Sequence, residues 1–193
     1  MGVDAAQKSN SQHRVNRHRH FRQAVITGIG VLAPNGTDVA TFWKSVRDGE
    51  SAAGFVTQFD TRDSRHKIAA EIKPFDYAPF MDAKKIRRYD KCIKYGVVAA
   101  TLALRDAGID VRRVDPERRG VVEGTTVGGI DSLFRGHLDY YERGAEKLNP
   151  IHVINSFVGE GSSAIALELE MKANSSTICS GCCSSNDAIG YAT

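Results

Sequence analysis

The spacing of apolar residues changes along the chain, and the changes mark its elements. Residues 24–33 (AVITGIGVLA) form a short β-branched run broken by glycines, the pattern of a buried strand. Pro34-Asn35-Gly36 is a turn, and Thr37-Asp38 offers an N-cap to a helix running through Asp48. Val39, Phe42, Trp43 and Val46 share one face of that helix, and Gly49 stops it. Residues 50–80 read as loop, with short strands expected around Ser51–Val56 and Ile68–Ile72. From Lys84 to Ala107, Ile86, Tyr89, Ile93, Val97, Ala100, Leu104 and Ala107 fall on one stripe, predicting a single long helix that ends at Gly108. Arg119–Gly124 reads as a second buried strand, Thr125–Gly129 as a Gly-rich turn, and Ile130–Arg143 as a helix. A further helix is expected from Asn155 to about Leu169, a third strand over Ser176–Cys179, and a helix start at Asn186. This alternation predicts α/β layers on a mostly parallel sheet.

Composition narrows the picture. At 193 residues the chain holds one packed domain or two small ones, and 41% hydrophobic with 25% charged residues is a globular profile. No apolar run approaches the ~20 residues of a membrane span. The first stretch has no apolar signal core, which predicts a cytoplasmic protein with no membrane partner. Lys8, Arg14, Arg17, Arg19 and Arg22 against Asp4 give residues 1–23 a net charge of +4, so the remaining 170 residues carry −1 of the total +3. The basic character is a tail, expected to be disordered. Although Arg17-His18-Arg19-His20 could touch a polyanion, the near-neutral remainder does not look like a nucleic-acid surface. Residues 24–193 form the folded part.

Two glycine-rich stretches invite a nucleotide reading and fail it. After Gly28-Ile-Gly30 the next glycine is Gly36, beyond a Pro-Asn loop, so no helix opens where a dinucleotide fingerprint needs one. Gly28 and Gly30 read instead as a tight turn between sheet and helix. Gly124-Thr-Thr-Val-Gly-Gly129 lacks the Lys-Ser/Thr pair of a phosphate loop.

The cysteines carry more. Cys92 stands alone, while Cys179, Cys182 and Cys183 lie within five residues. Metal ligation needs three or four ligands, and Cys179-x-x-Cys182 has no second pair. Inert cysteines among small residues are a second reading. The third is geometric: a strand ending at Cys179 and a small-residue turn would set Cys182 or Cys183 at the mouth of the next helix. There, free amides and the helix dipole favour a thiolate, the state needed for nucleophilic acyl transfer.

Ser180-Gly-Cys182-Cys-Ser-Ser-Asn-Asp187-Ala-Ile-Gly190-Tyr191-Ala192 resembles the active-site elbow of the β-ketoacyl-ACP synthases, a Thr-Ala/Gly-Cys-x-Ser/Thr-Gly pattern entering a helix with Ile/Val-Gly. Val25–Val31 resembles that family's opening strand, and Phe42-Trp43 sits in its first helix. Arg88-Tyr-Asp90 with Ala107-Gly108-Ile109 resembles its long helix, and Gly124–Gly129 its Gly-Ser-Gly-Ile-Gly-Gly turn. The resemblance covers residues 22–193. Gly181, Asp187 and Tyr191 look more like ketosynthases of aromatic polyketide assembly than those of fatty-acid elongation. Departures include Ala173-Asn174 for the family's Gly-Pro, Ser185 for its glycine, Cys183 for a smaller or hydroxyl residue, and Ile151-His152 for its aromatic pair.

The resemblance implies a thiolase-like α-β-α layered fold, with this chain as the N-terminal half of a pseudo-duplicated subunit. It implies that Cys182 is the nucleophile, with Cys179 pointing from the strand into the core. Val127 and His152 would shape the acyl pocket, His152 reaching across a dimer interface. The implied reaction is decarboxylative Claisen condensation of a Cys-bound acyl group with malonyl-ACP. The implied partners are an acyl carrier protein, bearing its own phosphopantetheine, and a ketosynthase-like subunit in a homodimer or heterodimer. No metal or organic cofactor is implied for the chain itself. The family's two decarboxylation histidines lie in its second half, and His66, His137 and His152 do not match their motifs. The final helix, about seven residues from Asp187 to Thr193, reads as cut short, so the chain alone is expected to fold poorly and not to condense substrates. A non-catalytic homologue and a cysteine-cluster metal module stay open as rivals at this stage.

Overall fold

The computed structural model describes residues 23–193. The expectation of a disordered basic tail falls on residues 1–23, of which 1–22 lie outside the described residues. The described chain runs α1 (Val39–Arg47), β1 (Ala53–Phe55), β2 (Ile68–Ala70), α2 (Ala83–Arg88), α3 (Lys91–Asp106), β3 (Val121–Gly124), α4 (Ile130–Arg143), α5 (Pro150–Asn155), α6 (Glu160–Glu168), β4 (Ser175–Ile178) and α7 (Ser184–Ala192). β3 and β4 pair in parallel with Glu123 opposite Thr177, while β1 and β2 form a separate antiparallel pair. The core lies where α3 packs on α6 and α6 on β3: Ile93, Val97 and Val98 cluster with Val121, Ala164 and Ile165, with Met81 at the margin. α7 packs on the β3–β4 pair. No helix of the described residues is long and apolar enough to cross a membrane.

Local sequence explains most boundaries. The Asp38 carboxylate caps α1 by accepting from the Thr41 amide at 2.8 Å, and Gly49 leaves the helix at φ +69°. The long helix expected from Lys84 to Ala107 is two helices. Asp90 breaks it, taking an extended backbone as N-cap of α3 and accepting from the Cys92 amide at 3.2 Å. The same carboxylate accepts from the Ser132 amide in the first turn of α4 at 2.8 Å, an attachment 42 residues away that periodicity does not register.

Two further expectations are corrected. Residues 24–33 form no strand of either described sheet, Ala33 making only an isolated bridge to Gly36, and Val25 and Ile26 are exposed. The segment lies along α3 instead. The Ile29 amide donates to the Asp106 carboxylate at 2.9 Å, and a Cβ on Gly30 would stand 1.9 Å from the Ala99 carbonyl oxygen. Gly28 and Gly30 thus serve close approach to a helix, not a tight turn. The helix expected over Asn155–Leu169 starts later, as α6 at Glu160; Asn155 instead ends the short helix α5, and Ser156–Gly159 lie between the two. Asn155, itself buried, donates from Nδ2 to the Arg88 carbonyl at 2.5 Å and so ties the end of α5 to the end of α2.

Candidate functional site

β3 and β4 run side by side and end at the same level, with Gly124 opposite Ile178. Each continues into a small-residue turn, and the two turns are bonded together. After Ile178 the chain passes through Cys179 and Ser180, tightens into a 3₁₀ turn over Gly181–Cys183, and enters α7 at Ser184. Gly181 stands at φ +70°, a left-handed conformation that glycine adopts without strain.

Five hydrogen bonds hold this elbow. Thr126 Oγ1 donates to the Gly181 carbonyl at 3.1 Å, and the Cys179 thiol donates to the Thr126 carbonyl at 3.1 Å. Ser184 Oγ donates to the Gly181 carbonyl at 2.6 Å and accepts from the Ser180 amide at 3.0 Å. The Ser180 hydroxyl donates to the Asp187 carboxylate. A Cβ on Gly124 would meet the Ser184 carbonyl oxygen at 2.5 Å, so the end of β3 lies directly beneath the start of α7.

Cys182 sits exposed in this turn, two residues before α7 begins, and no side chain caps that helix. It thus sits in the turn that enters a helix whose first amides have no side-chain cap. Cys179 and Cys183 are exposed as well. The expectation that Cys179 points into the core is corrected: β4 ends one residue earlier than expected, and Cys179 belongs to the turn. Cys92 differs in kind. It is half-buried on α3, and burial, reinforced by the neighbouring Asp90 carboxylate, pushes its thiol up to about 12.

Val127 follows Thr126 in the Gly-rich turn, half exposed, next to the strand-end tether of the elbow. His152 lies elsewhere. It stands on α5 against Gly136, with Nε2 3.6 Å from the Asp139 carboxylate and Nδ1 buried without a partner. It lines a cleft of about 290 Å³ with Leu133, Gly136, His137, Tyr140 and Leu148; neither Val127 nor Cys182 lines it. Within one chain the structure therefore brings Val127 to the elbow and leaves His152 on a separate surface. Among the described residues, no three His, Cys, Asp or Glu side chains are gathered as a metal ion would require.

The sequence reading passed over Thr126, Ser184 and Glu123. Thr126 and Ser184 are ordinary hydroxyl residues whose tethering depends on partners that only the fold supplies. Glu123 did leave a signal, as a carboxylate inside an otherwise apolar strand. It is half-buried beneath the elbow, burial pushes its carboxyl up, and it hydrogen-bonds the Ser162 amide and the Thr177 hydroxyl.

Residues 22–193 match the family model described as the N-terminal domain of beta-ketoacyl synthases. The 3-oxoacyl-[acyl-carrier-protein] synthase 2 of Vibrio harveyi is 30% identical over 171 residues, covering 89% of this chain and 41% of that protein. A protein named as a polyketide beta-ketoacyl synthase in Streptomyces halstedii is 35% identical over 178 residues, covering 89% and 42%. The solved ishigamide ketosynthase/chain length factor superposes with a TM-score of 0.73 at 28% identity, covering 80% of this chain and 39% of that one. The chain spans about two fifths of the length of the curated relatives it matches.

Proposed function

Because this chain belongs to the β-ketoacyl synthase family and has its thiolase-like α/β fold, we propose that it carries the nucleophile of a decarboxylative condensation, and that the nucleophile is Cys182. The observation that carries this reading is the elbow: an exposed thiol at an uncapped helix entrance, with its turn tied to the end of the adjacent strand by Thr126 and Ser184.

The Cys182 thiolate attacks the carbonyl carbon of an acyl thioester borne by an acyl carrier protein. The oxyanion that forms accepts from backbone amides at the turn, that of Cys182 among them. Collapse expels the carrier thiol, which takes up a proton, and leaves the acyl group on Cys182. A malonyl-carrier then loses CO₂, and the carbanion left behind attacks the Cys182 acyl carbonyl. The β-ketoacyl-carrier is released and the Cys182 thiolate regenerated. The decarboxylation histidines of the family are not His66, His137 or His152 in this reading. Val127 borders the acyl pocket beside the elbow, and His152 enters it from a second ketosynthase-like subunit in a homodimer or heterodimer. The chain acts in the cytoplasm and needs no metal or organic cofactor of its own; the phosphopantetheine arm belongs to the carrier.

The acyl carrier protein in the name of the Vibrio harveyi relative supports an acyl carrier as partner, and the pairing of ketosynthase with chain length factor in the ishigamide structure supports a ketosynthase-like one. The reading is tested by treating the protein with an acyl thioester or a thiol-directed electrophile and mapping the adduct by peptide mass spectrometry. The expected label is on Cys182. Label on Cys179 or Cys183 with Cys182 unmodified overturns it.

A further inference from the structure

Cys179-Ser-Gly-Cys182 is a C-x-x-C pair set between the end of a parallel strand and the start of a helix, β4 and α7. Two thiols so placed suit disulfide exchange, because a helix entrance favours the thiolate that closes and opens the bond. Among the described residues no third metal-ligating side chain joins them, which leaves the pair short of a metal site. The condensation described above uses one sulfur of the two. Cys179 has no part in it, yet its thiol is exposed at the same turn.

The turn gathers the pair. Ser180 stands at φ −119° and ψ 32°, and Gly181 at φ +70°, so the chain bends sharply between the two cysteines instead of running on from β4. Thr126 marks how near they come. Its carbonyl accepts from the Cys179 thiol at 3.1 Å, and its hydroxyl donates at 3.1 Å to the Gly181 carbonyl, part of the peptide that joins Gly181 to Cys182. One residue thus touches both the Cys179 sulfur and the peptide of Cys182. Nothing stands within 4 Å of a Cβ placed on Gly181, so the turn has open space in which to close. The other thiols are poorer partners. Cys183 adjoins Cys182, and adjacent Cα atoms lie about 3.8 Å apart across a trans peptide, inside the roughly 4.4 Å that a disulfide needs. Cys92 is half-buried on α3, its thiol pushed up to about 12.

We propose that Cys179 is a resolving thiol for Cys182, and that a hydroperoxide drives the two into a reversible disulfide that masks the nucleophile. The role rests on the reading of Cys182 as nucleophile. The Cys182 thiolate attacks one peroxide oxygen and the O–O bond breaks. The oxygen that leaves takes up a proton as alcohol or water, and Cys182 becomes a sulfenic acid. The Cys179 sulfur then attacks the Cys182 sulfur, the S–O bond breaks, and the hydroxide departs with the Cys179 proton as water. Two thiols and one hydroperoxide give one disulfide, one alcohol or water, and one further water, with two electrons passing from sulfur to peroxide. A dithiol reverses the change by exchange, becoming a disulfide itself. While the bond stands, the contact of Cys179 with Thr126 is given up, and Cys182 can neither attack a thioester nor pass on to the irreversible sulfinic acid.

The test treats the reduced protein with excess hydrogen peroxide, caps the remaining thiols with iodoacetamide, and maps the cysteines by peptide mass spectrometry with and without dithiothreitol. In wild type, Cys183 is expected to be capped directly, and Cys179 and Cys182 only after reduction, their peptide being lighter by two hydrogens before it. Acylation of Cys182 by an acyl-N-acetylcysteamine thioester should fall one for one with the disulfide and return in full with dithiothreitol. Cys179→Ser has no resolving thiol. Measured against its own reduced rate, it should pass to the Cys182 sulfinic acid and stay inactive after dithiothreitol. Cys183→Ser should still form the disulfide. Wild-type Cys179 that is capped without reduction after Cys182 has been oxidised overturns the inference, as does recovery of Cys179→Ser as complete as that of wild type. Should Cys179→Ser fail to fold, the wild-type map decides alone. An acyl label on Cys179 or Cys183 of the reduced protein removes the nucleophile reading. A Cys182 label without the Cys179–Cys182 disulfide removes this inference and leaves that reading standing.

Discussion

Ser184→Ala separates the elbow from the rest of the fold. The side chain is 3% exposed and makes two hydrogen bonds that an alanine cannot replace. Gly181 keeps a partner for its carbonyl in Thr126 Oγ1, so that loss is a net hydrogen bond, about 1 kcal/mol. The Ser180 amide loses its partner too, but Ser180 is an exposed residue whose amide water can reach, so this is a second net hydrogen bond of about 1 kcal/mol. The sum, roughly 2 kcal/mol, corresponds to a fall in Tm of about 4–8 °C for a domain of this size. The kinetic effect is separate. With the turn no longer clamped to the head of α7, the amides and the Cys182 thiol lose their common geometry, and acylation should slow roughly 10- to 100-fold even well below the melting range. Circular dichroism gives the first quantity, and intact-mass kinetics with an acyl thioester give the second. A lowered Tm with an unchanged acylation rate would show that the hydroxyl stabilises the fold without shaping the site, and the account of the elbow given above would fail.

Two further outcomes follow from neighbouring groups. Burial works to raise the Asp90 carboxyl, but hydrogen bonds from Ser132 and Cys92 outweigh it and hold the group below its ordinary value. Its stabilisation is therefore fully present above the unfolded value of about 3.9 and is lost as pH falls through the lower folded value. Asp90→Asn should cost about 1–2 kcal/mol in urea titrations at neutral pH and much less near pH 3; an equal gap at both would refute the assignment. Val127→Trp should shorten the acyl chain accepted in a competition among thioesters of graded length, and His152→Phe should disfavour oxidised chains. Unchanged preferences in both variants would place the pocket elsewhere.

How far the sequence could be read depended on whether a feature is local. α1, α4 and the two short strands of the antiparallel pair fall where capping residues and periodicity set them, because Asp38, Gly49 and the Gly129–Ile130 boundary act through neighbours in the chain. Two helix boundaries were misjudged for one reason. Asp90 opens α3 and Asn155 closes α5, each while bonding to a distant segment, Asp90 to Ser132 and Asn155 to Arg88. Neither the apolar stripe that runs past Asp90 nor the pattern around Asn155 registers such a partner. Residues 24–33 have strand composition, yet a strand also needs a neighbour with which to exchange hydrogen bonds, and composition carries no record of that. At the site, the cysteine spacing was legible and led to Cys182. The direction of Cys179 was not, because it turned on a single residue at the end of β4, where boundaries read from sequence are least exact.

The glycine-rich stretches show how packing and chemistry meet. In a nucleotide fold such glycines let backbone approach a phosphate; here the object approached is protein. Gly30 admits the Ala99 carbonyl of α3, and Gly124 admits the Ser184 carbonyl of α7. Neither glycine has a positive φ, so the missing Cβ matters more than conformational freedom. At Gly124 the separation from an imagined Cβ is 2.5 Å, whereas ordinary contact begins at 3.4 Å. Any side chain there would drive the start of α7 upward by about 1 Å, on the scale at which misplacement of a reacting group becomes costly. The path of the elbow and the absence of a side chain at the end of β3 are thus one geometric condition: α7 can begin in direct contact with the strand, and so set the turn that carries Cys182, only because Gly124 has no Cβ.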